Sequence, residues 1–348
     1  MNNPTVDAAP SVQAESPRLH ILLSIPDHEF PAIINQQTRA ALEELGNVTT
    51  AAPAELQNLD AFARAAAEAD VFITAWGFPR LDAMHLSVAP NLKCVIHAAS
   101  SIHTLVSDDF WATGIPISQS GAAMAPAVAE MSLTFTLNLL RRIEKMDHQM
   151  RSGHSWEDAR SIRRAREISG SRIGVIGASR TGRRYIDACL ALGADVQIYD
   201  PYLTVDDPLA KQALGLKELL ATSDVIAVHA PATPETAGLI GEAELALLQD
   251  GAVFVNTARS SIVDMEALYK EVASGRIDAA LDVFDVEPLP VGDRWRSLPN
   301  VLLTPHVGGA TVDSRQRAGG IVVAELRRFL AGDPMEHALT RVDLERMG

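Results

Sequence analysis

Short apolar runs alternate with helical periodicity along most of the chain. Residues 20–24 (HILLS) read as a strand, residues 31–45 as a helix stopped by Gly46, and residues 48–51 as a weak strand. Residues 55–69 are Ala-rich and helical, and residues 71–75 (VFITA) and 93–97 (KCVIH) have the look of short buried strands. This is a βαβ rhythm, which predicts a parallel sheet. A single long helix is expected over residues 125–150, where Val128, Met131, Phe135 and Leu139 make one apolar stripe. From residue 172 onward six more runs recur, at 173–176, 196–199, 225–228, 253–256, 280–283 and 301–304. Six strands with helices between them meet the requirement of a doubly wound dinucleotide fold.

The residues that could do chemistry fall at the ends of those six runs or just after them. They are Gly177, Asp200, His229, Arg259, Asp282 with Glu287, and His306. Ligands of an open parallel sheet bind beyond the carboxyl ends of its strands, so six such placements in succession point to one crevice.

Length divides this pattern into domains. At 348 residues the chain is too long for one ordinary core. We expect a tail over residues 1–17, a substrate domain from 18–123 plus 312–348, and an inserted nucleotide domain over 124–311. Residues 321–330 read as an amphipathic closing helix, and the two chain crossings between the domains would form a hinge.

Composition is globular, with 47% hydrophobic and 21% charged residues. The net charge of −14 argues against nucleic acid as a partner. Residues 141–172 are locally basic, with nine Arg or Lys against five Asp or Glu, but the interleaved acids favour a solvated face or subunit contact. Two cysteines, Cys94 and Cys189, form neither a disulfide framework nor a metal motif, so no metal is expected. No clean apolar run of membrane-spanning length and no signal core stand out, which sets the expectation of a cytoplasmic protein with no membrane partner.

The first of the six runs leads into IGVIGASRTG, residues 173–182. The expected fingerprint is GxGxxG between strand and helix, and here Ser179 stands at the middle glycine. That glycine normally lets backbone approach a pyrophosphate, so binding would survive with an altered approach. Asp200, 18 residues beyond Gly182, suits the adenine ribose hydroxyls and would repel a 2′-phosphate, which favours NAD over NADP. Helix-terminus N–H groups would face the phosphates.

Three further segments, VNTARSSIVD at 255–264, LDVFDVEPLP at 281–290 and LTPHVGGAT at 303–311, complete an ordered set. Together with the nucleotide motif they resemble the D-isomer-specific 2-hydroxyacid dehydrogenases, a family that includes phosphoglycerate, glyoxylate/hydroxypyruvate and D-lactate dehydrogenases. The resemblance implies a Rossmann domain inserted into a flavodoxin-like domain, NAD as cofactor, a small 2-oxo or 2-hydroxy acid as substrate, and a homodimer. It puts Arg259, Glu287 and His306 in the catalytic positions. Histidine exchanges protons near neutral pH, a carboxylate beside it favours the protonated ring, and arginine offers a planar fork to a carboxylate and a carbonyl oxygen. The resemblance assigns the cofactor to Ser100, Gly177, Ser179, Arg180, Thr181, Asp200, His229, Ala230, Thr257, Ala258, Arg259, Asp282, His306 and Gly308, with Asp282 on the nicotinamide carboxamide. It assigns the substrate to His97, Ala98, Ala99, Ser100, Arg259 and His306, with Trp76 and His103 as further pocket candidates.

The family's loop glycines appear here as Ala98–Ser101, and Met124 stands where many members have asparagine, so the substrate stays open. An NAD(H)-sensing, corepressor-like member of the same fold is the alternative. Formate oxidation is disfavoured because no matching substrate-site signature is present.

Overall fold

The computed structural model describes residues 18–162 and 165–347; the expected tail over residues 1–17 lies outside them. Twelve strands form two six-stranded sheets. β1 (Leu19–Ser24), β2 (Gly46–Thr50), β3 (Val71–Thr74), β4 (Cys94–His97), β5 (Ile117–Gln119) and the late β12 (Ala338–Leu339) make the first, in the order β12-β5-β4-β3-β1-β2. All its pairs are parallel except β12 against β5. β3 and β4 are buried at every position, which is why VFIT and CVIH read as unbroken apolar runs rather than alternating ones.

β6 (Arg172–Ile176), β7 (Asp195–Tyr199), β8 (Val225–Val228), β9 (Val253–Asn256), β10 (Asp278–Leu281) and β11 (Val301–Leu303) make the second sheet, all parallel, in the order β11-β10-β9-β8-β6-β7. A single parallel bridge between Ile198 and Ala213 sits beyond β7, too small a signal for the sequence to show. The order reverses at β6, so the crevice between the carboxyl ends of β6 and β8 is the switch point where such sheets bind ligands. Separate apolar layers cover the two faces of this sheet, one around Phe254, Leu268 and Trp295, the other around Tyr185, Ile186 and Phe135.

Several expected helices are broken. The helix at 31–45 is two, Phe30–Ile33 and Gln36–Leu45, because the Asn35 side chain accepts from Thr38 N–H and starts a new helix. Gly46 does not cap it in a left-handed conformation but begins β2. The segment 55–69 is a turn of 3₁₀ helix at Glu55–Gln57 and then Leu59–Ala66, capped by Asn58 in the same way. The single helix at 125–150 is Gly121–Arg141 followed by Ile143–Arg151. Arg142 between them is left-handed at φ 56°, and its guanidinium reaches buried Asp278 at 3.1 Å, which Lys145 also binds at 2.6 Å.

Gly121–Arg141 is long and apolar enough to cross a membrane by length and composition, which corrects the reading that no run of that kind is present. More than half of that apolar stretch is buried inside the protein. Phe135 and Leu139 of the apolar stripe pack on the second sheet of their own chain, with Met131 partly buried against the same cluster.

The chain leaves the first sheet through Gly121–Arg141 and returns through Val312–Ala331, and these two helices pack together. A Cβ on Gly309 would stand 3.3 Å from Met124, so the two crossings touch. The returning helix also packs on Phe30–Ile33, Gln36–Leu45 and β4. Its buried Glu325 accepts from the N–H groups of Glu336 and His337 and so holds the approach to β12.

Candidate active site

A cleft of about 850 Å³ lies between the two sheets, lined from both of them. Its floor on the nucleotide side is the turn after β6. Gly177 adopts φ +96°, and a Cβ there would lie 2.5 Å from Ala230 N, so the turn and the end of β8 meet backbone to backbone. A Cβ on Gly182 would collide with the Gly177 carbonyl oxygen. These close approaches leave no room for side chains between the β6 turn and the Arg180–Ala191 helix that follows. The tight turn and helix start fit a dinucleotide's phosphates.

Ser179 departs from the fingerprint in a specific way. Its hydroxyl caps the helix by accepting from Gly182 N–H at 3.3 Å and donates to the His229 carbonyl at 3.0 Å. The oxygen is therefore engaged with the protein's own backbone. Arg180 and Thr181 also line the cleft. Desolvation by the surrounding protein lowers the Arg180 pKa, but a guanidinium stays charged throughout the physiological range.

Asp200 ends β7 and holds the turn from beside it. One carboxylate oxygen accepts from Ala178 N–H at 2.8 Å, the other from Tyr202 N–H at 2.9 Å. His229, Ala230, Thr257 and Ala258 line the cleft, whereas Gly177, Asp200 and Gly308 do not themselves line it. The His229 imidazole is buried against Tyr185 with neither ring nitrogen partnered, and burial pushes its pKa down to about 3. It is a neutral ring. The Thr257 hydroxyl bonds Ser132 at 2.6 Å and ties β9 to the crossing helix.

The three candidate catalytic groups come together. His306 sits in a left-handed conformation, φ 53°, on the loop after β11, and its Nδ1 is 2.7 Å from Glu287 Oε2. The other Glu287 oxygen accepts from Phe284 N–H at 2.9 Å, which fixes the carboxylate. Arg259 faces the same cleft from the end of β9, with Nη1 donating to the Ala258 carbonyl at 2.7 Å. Asp282 lines the cleft but is buried, and its carboxylate takes the Thr304 hydroxyl at 2.5 Å, Val307 N–H at 2.9 Å and Gly308 N–H at 2.8 Å. Its visible work is to mount the loop that carries His306.

The substrate-side reading needs correction. His97 does not face the cleft: it ends β4 with its ring turned onto Thr74 of the neighbouring strand, Nδ1 to Oγ1 2.9 Å, and burial lowers its pKa to about 4. Ala98 and Ala99 are fully buried, with Ala98 N–H held by the Thr74 carbonyl and the Ala99 carbonyl by Ser120 N–H. The cleft receives Ser100 and Ser101 from this loop instead. His103 does not line the cleft, its Nε2 lying 3.3 Å from the carbonyl of Met347, which does; Trp76 and Met124 also line it. Sequence reasoning missed Glu29 and Arg315, which meet across 286 positions and share the wall with Trp76. No local pattern announces such a pair.

This arrangement defines a two-domain dinucleotide-binding protein with a histidine–carboxylate pair at the domain cleft. Residues 133–308 match the family described as D-isomer specific 2-hydroxyacid dehydrogenase, NAD binding domain, and the chain belongs to that family. It is 37% identical over 256 residues to a D-3-phosphoglycerate dehydrogenase of Mycobacterium bovis, a match covering 73% of this chain and 48% of the relative. The chain thus spans about half the length of such curated relatives. It is 33% identical over 249 residues to a hydroxypyruvate reductase of Thermotoga maritima, covering 70% of this chain and 80% of that protein. The solved structure of a D-2-hydroxyisocaproate dehydrogenase superposes with a TM-score of 0.81 at 23% identity, covering 92% of this chain and all of that one, which is a likeness of fold.

Proposed function

We propose that the protein exchanges a hydride between NAD(H) and a small 2-oxo or 2-hydroxy acid of D configuration, with His306 as proton donor and acceptor. The observation that carries this reading is the Glu287–His306 contact at 2.7 Å, opening on the same cleft as Arg259 and the Gly177–Gly182 turn. Nicotinamide, when bound, supplies or accepts the hydride. Gly177, Ser179, Arg180, Thr181, His229, Ala230, Thr257 and Ala258 would hold the dinucleotide, with Asp200 at its ribose.

The chain's own residues do the rest. With Nδ1 engaged by Glu287, Nε2 is the ring atom free to hand a proton to the substrate oxygen or take one back. The carboxylate fixes the tautomer and the ring orientation. Arg259 would clamp the substrate carboxylate and stabilise negative charge growing on the carbonyl oxygen. Closure of the two domains on the cleft would exclude water from the transfer.

The other parts of the reading have separate supports. NAD is favoured over NADP because a carboxylate at Asp200 repels a 2′-phosphate. A cytoplasmic setting fits two buried, unpaired cysteines. A homodimer fits the exposed Ile143, Met146, Met150 and Trp156 clustered just after the crossing helix. The net charge of −14 speaks against a nucleic-acid partner.

Initial rates of NADH oxidation with glyoxylate, hydroxypyruvate, pyruvate and bulkier 2-oxo acids test the proposal. Turnover with at least one acid, yielding the D-hydroxy product, is the expected result. Tight NADH binding without turnover on the whole panel would replace it with the sensor reading.

A further inference from the structure

The catalytic groups account for the reacting end of a 2-oxo acid and leave its side chain without a partner. The opposite wall of the cleft carries Glu29, Trp76 and Arg315. Arg315 is buried, and its guanidinium grips Glu29 in a two-pronged pair, Nε to Oε2 at 2.6 Å and Nη2 to Oε1 at 2.9 Å. Nη1 points to the Gly309 carbonyl at 3.3 Å. The same guanidinium stacks over the Trp76 indole, 4.6 Å from the ring centroid to Cζ. Trp76 nonetheless stays 41% exposed, an unusual residue to leave open inside a cleft.

Charge accounting on this wall is decisive. An arginine held by both prongs of a carboxylate presents no net charge to a ligand. A phosphate or second carboxylate on the substrate would meet Glu29 as well as Arg315, and like charges at that range repel. Among the described residues, Arg180, Arg259 and Arg346 line the cleft without a carboxylate partner. Arg180 belongs to the phosphate turn and Arg259 shares the cleft with His306. Arg346 comes from the last helix, and its charge reaches Tyr202, two residues beyond Asp200. None of the three pairs with Glu29 or stacks on Trp76. The indole offers broad apolar contact instead, and Met124 and Val128 extend it.

We propose that Trp76, backed by the Glu29–Arg315 pair, forms a charge-neutral aromatic subsite that selects 2-oxo acids with branched or aromatic side chains over phosphorylated or dicarboxylic ones. This inference rests on the dehydrogenase reading and narrows it. It also separates this chain from what the name of its mycobacterial relative says of that protein.

The test is kcat/KM with NADH for phenylpyruvate, 4-methyl-2-oxopentanoate, pyruvate and 3-phosphohydroxypyruvate, on the wild-type protein and two variants. The wild type should prefer the first two over 3-phosphohydroxypyruvate by at least about tenfold, the scale on which pockets sort apolar groups. Trp76→Ala should lower kcat/KM for phenylpyruvate by about tenfold, chiefly through KM, while pyruvate changes by less than about threefold. Glu29→Gln, near-isosteric and checked for an unchanged thermal midpoint, should raise the value for 3-phosphohydroxypyruvate relative to phenylpyruvate. A wild type that prefers the phosphorylated acid, or a Trp76→Ala loss equal on all four acids, overturns the subsite alone. No turnover with any of the four overturns the subsite, and silence on glyoxylate and hydroxypyruvate as well overturns the dehydrogenase reading with it.

Discussion

Glu287 Oε2 stands 2.7 Å from His306 Nδ1, and its second oxygen is held by the Phe284 N–H. The carboxylate is therefore a fixed mount for the imidazole. His306→Ala should lower kcat by about 10²–10⁴, the usual contribution of a positioned acid–base group, while the Kd for NADH changes less than about threefold. Stopped-flow turnover and fluorescence titration read the two quantities, and near-normal turnover would remove His306 from the proton transfer. Glu287→Gln should give a smaller loss, because the amide can still face Nδ1.

Asp200 holds the turn after β6 and, in the proposed function, faces the adenine ribose, so its removal should show both. Asp200→Ala should lower the ratio of kcat/KM for NADH over NADPH by about tenfold or more, in line with a lost charge contact. The KM for NADH should also rise, because Ala178 N–H loses its acceptor. Steady-state kinetics with both cofactors measures this, and an unchanged ratio would refute the ribose assignment.

The turn after β6 tolerates no Cβ at its two glycines. Gly177→Ala should raise the NADH Kd by more than about tenfold, since φ +96° is strained for alanine and the added carbon meets Ala230. Isothermal titration checks it; binding within twofold of wild type would show that the turn yields.

Ser179 caps its helix and bonds the end of β8, so Ser179→Ala should cost about 1 kcal/mol of stability. Urea unfolding reads the loss. An unchanged midpoint would mean that water replaces both contacts.

Acid should unfold the protein through two histidines. Burial holds His97 near pKa about 4 and His229 near about 3, below the ordinary value of 6.5. Both are neutral in the folded chain, and above about pH 6.5 they are neutral in the unfolded chain too and contribute no slope. Below it the unfolded chain takes up protons that the folded chain refuses, so stability falls as the pH drops from about 6.5 towards 4. Each ring adds up to about 1.4 kcal/mol per pH unit. His97→Asn should flatten the decline in urea-derived stability between pH 6 and 4.5; an undiminished slope would place the acid sensitivity elsewhere.

The nucleotide-side strands were legible because parallel strands covered on both faces leave continuous apolar runs, as VIAV and VFVN do. Arg259, Glu287 and His306 stood out because they follow strand ends that converge on one crevice, and the family resemblance is what put them in the catalytic positions. The direction a side chain takes was harder. His97, Ala98 and Ala99 sit in the right segment, yet the ladder to Thr74 turns them inward and leaves the cleft to Ser100 and Ser101. Helix breaks at Asn35 and Asn58 carried a readable capping signal. The break at Arg142 depended on Asp278, far along the chain, and the Glu29–Arg315 pair had no local trace at all.

The contact of Gly309 with Met124 has a mechanical meaning. Both covalent links between the halves pass close to this spot, so a swing of the halves would pivot there. A methyl group added there would press on Met124 and Val128, which both line the cleft. Position 309 is therefore a place where the set of the crossings and the shape of the cleft wall change together.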